Sequence, residues 1–284
     1  AKSTENEIPL QSAQTKDLAD PNKALMLVVE DNDELRSFLR TIFHDTFRIA
    51  EATNGKEGIE KAVALIPDII ISDVMMPGKD GMELTRELRD NLSTSHIPII
   101  LLTAKSNLES KLEGMEYGAN DYITKPFSST YLKARVENLL SQYQKLQELY
   151  RSTLMSVSPM KKKETPQTGE MSPNDRKFID KLIELMEANM DNGDLIVDDL
   201  VAELAVSRSV FFKKLKALTG LAPIEFIKEM RVKRAAELIE TGEYNISQVS
   251  YMVGINDPRY FSKCFKQKFG ITPSEYKERV QSAK

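Results

Sequence analysis

Four short stretches of this chain end in residues that suit phosphoryl chemistry. Glu30-Asp31, Asp73, Thr103 and Lys125-Pro126 each follow a brief β-prone run. If those runs are parallel strands, their ends converge on one edge, and three carboxylates, one hydroxyl and one ammonium share a pocket. Clustered carboxylates raise one another's pKa values unless a cation sits among them. Mg²⁺ suits such a set because it prefers oxygen ligands and keeps several waters. A carboxylate beside Mg²⁺, with a lysine to hold a phosphoryl oxygen, is a group that can itself accept phosphate. A second set of residues suits a polyanion. Around 207–218, Phe211, Leu215 and Leu218 fall at i, i+4 and i+7 as one apolar stripe, while Ser209, Lys213 and Lys216 face away and Phe212 sits on the flank. Around 259–269, Phe261, Phe265 and Phe269 form the stripe, Arg259, Lys263 and Lys266 face out, and Ser262 lies beside them. A helix with an apolar back and a Ser/Arg/Lys front is shaped to enter the DNA major groove.

The elements that must position these residues are legible in outline. From Ala24 the chain alternates apolar runs with amphipathic stretches. The runs are Ala24–Val29, Phe47–Ala52, Asp68–Ser72, Ile97–Leu102 and Asp121–Ile123. Ile69-Ile70-Ile71 and Ile99-Ile100-Leu101-Leu102 are apolar on both faces, as strands buried between helix layers must be. Five β-α pairs predict an α/β doubly wound five-stranded parallel sheet with ligands beyond the strand C-termini. The last helix starts near Ser128. Leu132, Val136, Leu139, Tyr143, Leu146 and Tyr150 continue a 4-3-4-3-4 spacing past the expected edge of the sheet. That extension reads as a short coiled-coil seam able to pair with a second copy.

Residues 178–284 are helical by pattern and repeat themselves at an offset of 50. Ile196, Phe211, Lys213, Lys216, Gly220, Pro223, Glu225 and Phe226 correspond to Ile246, Phe261, Lys263, Lys266, Gly270, Pro273, Glu275 and Tyr276. Two copies of one supersecondary unit, joined by a helix over Ile224–Glu240, are expected. At 1.5 Å per residue that helix spans about 25 Å, the right order for two helices reaching successive major grooves about 34 Å apart. The domain boundaries read as a loose tail over 1–22, a sheet domain with its extended last helix over 23–150, a linker over 151–175 and an all-α domain over 176–284. The linker carries Pro159, Pro166, Pro173 and Lys161–Lys163.

Composition sets limits. The 284 residues fit two domains, and 41% hydrophobic with 29% charged residues excludes a wholly disordered chain. No uncharged apolar run approaches the roughly 18–20 residues of a membrane helix, so no membrane contact is expected. Cys264 is the only cysteine and His44 and His96 the only histidines, which excludes a disulfide framework and a cysteine- or histidine-rich metal site and fits a reducing compartment such as a cytoplasm. The net charge of −4 conceals an asymmetry: residues 23–145 carry −4 and residues 204–284 carry +7. The basic end marks a polyanion-binding surface.

The motifs V-V-E-D-N-D at 28–33, S-D-V-M-M-P-G-K-D-G at 72–81, T-A-K at 103–105 and K-P-F at 125–127 resemble the receiver domain of two-component response regulators. The resemblance implies that Asp73 accepts phosphate from a sensor histidine kinase. Asp31, Asp73 and the backbone carbonyl of Met75 would hold Mg²⁺, with Glu30 assisting through water. Thr103 and Lys125 would bind phosphoryl oxygens, and Tyr122 matches an aromatic switch position that turns inward when Thr103 moves toward the phosphate. Residues 178–284 are similar to the AraC-type DNA-binding domain, through L-A-V-S-R-S-V-F-F-K-K-L-K at 204–216, V-S-Y-M-V-G-I-N-D-P-R-Y-F-S-K-C-F-K at 249–266 and F-G-I-T-P-S-E-Y at 269–276. Two helix-turn-helix units are implied. Ser207, Arg208, Ser209, Phe212, Lys213 and Lys216 would serve the first on double-stranded DNA, and Arg259, Ser262, Lys263 and Lys266 the second. In this family an aromatic commonly follows the glycine of the second turn; here Ile255 follows Gly254.

The reading is a phosphorylation-controlled transcription factor that forms a homodimer on phosphorylation and is not an enzyme beyond its own phosphoryl transfer. Ala1 in place of Met raises the alternative of a C-terminal segment of a hybrid sensor kinase. An aspartyl-phosphate hydrolase is a weaker alternative, because Met75 stands two residues after Asp73, where such enzymes place a second acid. A small-molecule-sensing AraC-type regulator is weaker still, since no β-rich ligand domain is evident.

Overall fold

The computed structural model describes residues 23–104, 118–155 and 171–282 and divides into two compact units, Ala1–Gln142 and Tyr143–Lys284. The expectations for residues 1–22, for Lys105 and for Lys161–Lys163 lie outside the described residues.

The first unit is built on five parallel strands: β1 (Leu25–Val29), β2 (Arg48–Ala52), β3 (Ile69–Asp73), β4 (Ile99–Thr103) and β5 (Asp121–Thr124). Their order is β2-β1-β3-β4-β5, the doubly wound arrangement expected from the alternating pattern. All residues of β1, β3 and β4 are buried, which explains why those runs carry no polar alternation. The register pairs Val28 with Ile71 and Asp73 with Leu102, so the polar residues closing β1, β3 and β4 lie at one edge. Helices α1 (Asp33–Phe43), α2 (Gly55–Leu65) and α3 (Gly81–Asp90) start at side-chain caps. Asn32 accepts from Leu35 N–H, Asn54 from Glu57 N–H, and Asp80 from both Met82 and Glu83 N–H. The Asn32 and Asn54 caps fix the turns just beyond β1 and β2, and the Asp80 cap closes the longer loop after β3.

Helix α4 runs from Ser129 to Met155, about 40 Å at 1.5 Å per residue. Leu132, Val136 and Leu139 are buried in the first unit, as the seam's upper half requires. The lower half belongs to the second unit, where Tyr143, Leu146 and Tyr150 are half-buried. Burial pushes the Tyr150 phenol pKa up, with Arg176, Asp180 and Asp175 nearby. Gln147 Nε2 donates to the carbonyls of Lys216 and Ala217 at 3.2 and 2.5 Å, and Lys233 Nζ donates to that of Leu154 at 2.7 Å. The seam expected to pair with a second copy is therefore partly engaged within its own chain.

The second unit continues with α5 (Pro173–Ala188), α6 (Val197–Glu203), α7 (Arg208–Thr219), α8 (Pro223–Thr241), α9 (Ile246–Met252), α10 (Pro258–Phe269) and α11 (Pro273–Ser282). The sequence repeat is reproduced residue for residue: α7 and α10 start and end 50 positions apart. Both end on a left-handed glycine, Gly220 (φ 72°) and Gly270 (φ 78°), whose N–H donates to Lys216 and Lys266 carbonyls at 2.8 Å. The connecting helix α8 supplies Val232, Ala235, Ala236, Leu238 and Ile239 to a core shared with Val249, Phe261, Cys264 and Phe265. Ile255 is buried in that same core, so an aliphatic residue fills the position after Gly254.

Candidate functional site

The edge of the first sheet gathers the expected groups. Carboxylate oxygens of Glu30, Asp31 and Asp73 all lie within 4.8 Å of one another. Glu30 and Asp73 are buried and Asp31 is exposed, so the cluster opens to solvent on the Asp31 side. Lys125 Nζ bridges two of the three, at 3.1 Å from Glu30 Oε2 and 3.0 Å from Asp73 Oδ1. Thr103 closes β4 and is buried beside this edge, and the Lys125 N–H donates to the Thr103 carbonyl at 2.7 Å. That bond ties the residue closing β4 to the residue just past β5, bringing Thr103 and Lys125 to the same edge. The Lys125–Pro126 peptide is cis. Met75 is 59% exposed, with its backbone in the loop directly after Asp73.

Burial raises the Glu30 pKa and Asp73 adds to the effect, while Lys125 opposes both. Among the described residues, Lys125 is the cation paired with this cluster, and it meets two of the three carboxylates. An all-oxygen donor set with one open side suits Mg²⁺, so the residues present fit the ion. Backbone contacts fix the cluster further. Arg36 donates to the Glu30 carbonyl at 2.8 Å, and Ser72 Oγ to the Asp73 carbonyl at 2.9 Å. Gly81 is required here by close approach, because a Cβ would lie 2.2 Å from the Asp73 carbonyl oxygen.

In the second unit, Ser209, Lys213 and Lys216 on α7 and Arg259, Lys263 and Lys266 on α10 are exposed. Arg208 is also exposed, ion-paired with Asp198 and stacked 5.0 Å over the Phe212 ring. Phe212 is half-buried, consistent with its place on the flank. Two of the serines are engaged with their own helices. Ser207 caps α7 by accepting from Val210 N–H at 3.2 Å, and Ser262 Oγ donates to the Pro258 carbonyl at 2.9 Å. The apolar stripes are less uniform than the spacing predicts: Phe211, Leu215, Phe261 and Phe265 are fully buried, but Leu218 and Phe269 only partly.

Sequence reasoning missed Lys214. Its side chain is 0% exposed and its Nζ lies 2.6 Å from Asp175 Oδ1 on α5 and 5.4 Å from the Phe178 ring. Two signals were present. At 100° per residue Lys214 falls 60° from Phe211, inside the apolar arc, and its counterpart in the repeat is Cys264, also buried.

Comparison with known proteins matches both units. Residues 26–137 fit the model of the response regulator receiver domain, and residues 200–279 fit that of a helix-turn-helix domain. The chain therefore joins a response regulator receiver domain to an AraC-type helix-turn-helix domain. It is 41% identical over 262 residues to Histidine kinase P4 of Formosa agariphila, covering 92% of this chain and 18% of that protein. It is 40% identical over 116 residues to response regulator ArlR of Staphylococcus aureus, covering 40% of this chain and 52% of that protein. A putative response regulator from Chloroflexus aurantiacus is 34% identical over 42% of this chain and 98% of its own, with a TM-score of 0.41. The chain spans less than a fifth of the first relative and about half of the second.

Proposed function

We propose that this chain is a phosphorylation-controlled transcriptional regulator whose Asp73 accepts phosphate from a histidine kinase. The observation that carries this reading is the Lys125 ammonium held between Glu30 and Asp73 at the open edge of the sheet. An Asp73 carboxylate oxygen attacks phosphorus as the phosphohistidine P–N bond breaks and the imidazole leaves. Lys125 and the Thr103 hydroxyl take the phosphoryl oxygens. Asp31, Asp73 and the Met75 carbonyl, with Glu30 behind them, would hold Mg²⁺, which would supply neutralising charge for the transferring group. The chain's own residues thereby provide position and electrostatics, and no turnover of an external substrate is needed.

The phosphorylated state favours Thr103 drawn toward the phosphoryl group and Tyr122 turned inward. That state favours a homodimer and sets how α7 and α10 meet double-stranded DNA. Ser209, Phe212 and Lys213, with Arg259, Ser262 and Lys263, face base edges; Ser207, Arg208, Lys216 and Lys266 serve the sugar-phosphate backbone. A basic unit at the end of an acidic chain supports this assignment. The match of 92% of this chain to a protein named as a histidine kinase favours a second reading of the partner, with the phosphate donor in the same longer, cytoplasm-facing polypeptide.

The test is labelling with acetyl phosphate and Mg²⁺. Wild-type chain should be labelled and Asp73→Asn should not. Undiminished labelling of the variant would contradict the acceptor assignment.

A further inference from the structure

Tyr122 reaches further across the sheet than its position requires. It lies on the edge strand β5, paired with Leu101 of β4, and β4 separates it from β3 and the helix that follows β3. Yet its hydroxyl donates a 3.1 Å hydrogen bond to Sδ of Met82, in the first turn of α3. The bond thus links an edge strand to the helix that follows β3, two strands inward, and both residues are half-buried.

The first turn of α3 is itself tied to the loop after the acceptor. Gly81 N–H donates to the Val74 carbonyl at 2.9 Å, and the glycine backbone lies against the Asp73 carbonyl too closely to admit a side chain. Asp80 Oδ1 accepts the Met82 N–H at 2.9 Å, which fixes where the thioether begins. A continuous physical path therefore runs from Asp73 and Val74 through Gly81 and Met82 to the Tyr122 hydroxyl.

We propose that Met82 is a positioning residue for the switch: its thioether holds Tyr122 turned inward and couples the acceptor loop to β5. The proposal rests on the reading of Asp73 as acceptor and Tyr122 as switch. Methionine suits the task because its sulfur is a weak acceptor on a flexible stem, so the bond can be made and released as the ring moves. Leucine matches its volume but accepts nothing.

The test measures the initial rate of acetyl phosphate labelling of the full chain with saturating Mg²⁺. Met82→Leu should slow labelling about fivefold, the size of one net hydrogen bond. Tyr122→Phe should slow it equally, and the double variant should be no slower than either single, since both remove the same contact. Met82→Gln, whose amide oxygen accepts, should restore most of the rate. A purely packing role would leave Met82→Leu near wild type and make Met82→Gln the worse variant. That pattern, or additive losses in the double variant, overturns the proposal while leaving the acceptor assignment intact. An unlabelled wild-type chain would overturn the acceptor reading, and this one with it.

Discussion

Lys214 is a charged side chain with no exposed surface, on a helix whose neighbouring lysines, 213 and 216, face solvent. Burial pushes its pKa below the ordinary lysine range, and Asp175 pulls it back. Asp175 sits in the first turn of α5, where the helix end also favours a carboxylate. Removing one partner strands the other, so Lys214→Met or Asp175→Asn should each cost about 3–5 kcal/mol. Replacing both by Lys214→Met with Asp175→Leu should recover most of the loss. Calorimetry of the full chain checks this in the melting of the second unit; single variants that melt like wild type would show the pair to be idle. Residues such as Asp73 and Lys125 were legible because strand ends announce themselves, whereas the burial of Lys214 showed only in its place within the apolar arc and its repeat counterpart Cys264, and its partner, 39 positions away, showed in no local pattern. The Met82–Tyr122 bond was equally hidden, since no local pattern ties the first turn of α3 to β5.

At the scale of elements, the repeat decides most. Corresponding caps, glycine stops and apolar stripes give α7 and α10 the same bounds, so two equivalent helices follow from one sequence regularity. Lys213 and Lys263 occupy the same place on each. Lys213→Ala with Lys263→Ala should abolish sequence-specific binding while the circular dichroism spectrum stays unchanged. For each variant alone, the salt slope of the residual binding should stay constant, as for a lysine facing a base edge; a slope lower by about one unit would put that lysine on a phosphate instead. Specific affinity that survives both substitutions would contradict the assignment. β1, β3 and β4 were readable because their runs are apolar on both faces, whereas β2 and β5, at the sheet edges and only partly buried, were marked chiefly by their place in the alternation. The course of α4 was not readable. A 4-3 spacing looks the same whether its partner is a sheet, a second copy or, as Gln147 and Tyr150 show, helices of the same chain.

For the whole molecule, the acidic and basic ends suit the two tasks proposed for them, accepting phosphate and binding DNA. Coupling between them need only be modest, because about 1.4 kcal/mol changes a two-state ratio tenfold. Binding through Lys and Arg to phosphates should be steeply salt-dependent, so the two states must be compared at one ionic strength. The most direct test is footprinting on genomic DNA fragments, with and without beryllofluoride as the phosphoryl mimic, at fixed Mg²⁺ and salt. Phosphorylation control through Asp73 requires protection of a defined operator whose half-maximal protein concentration shifts at least several-fold when the mimic is added, and no shift for Asp73→Asn. Identical footprints at identical concentrations with and without the mimic would contradict it.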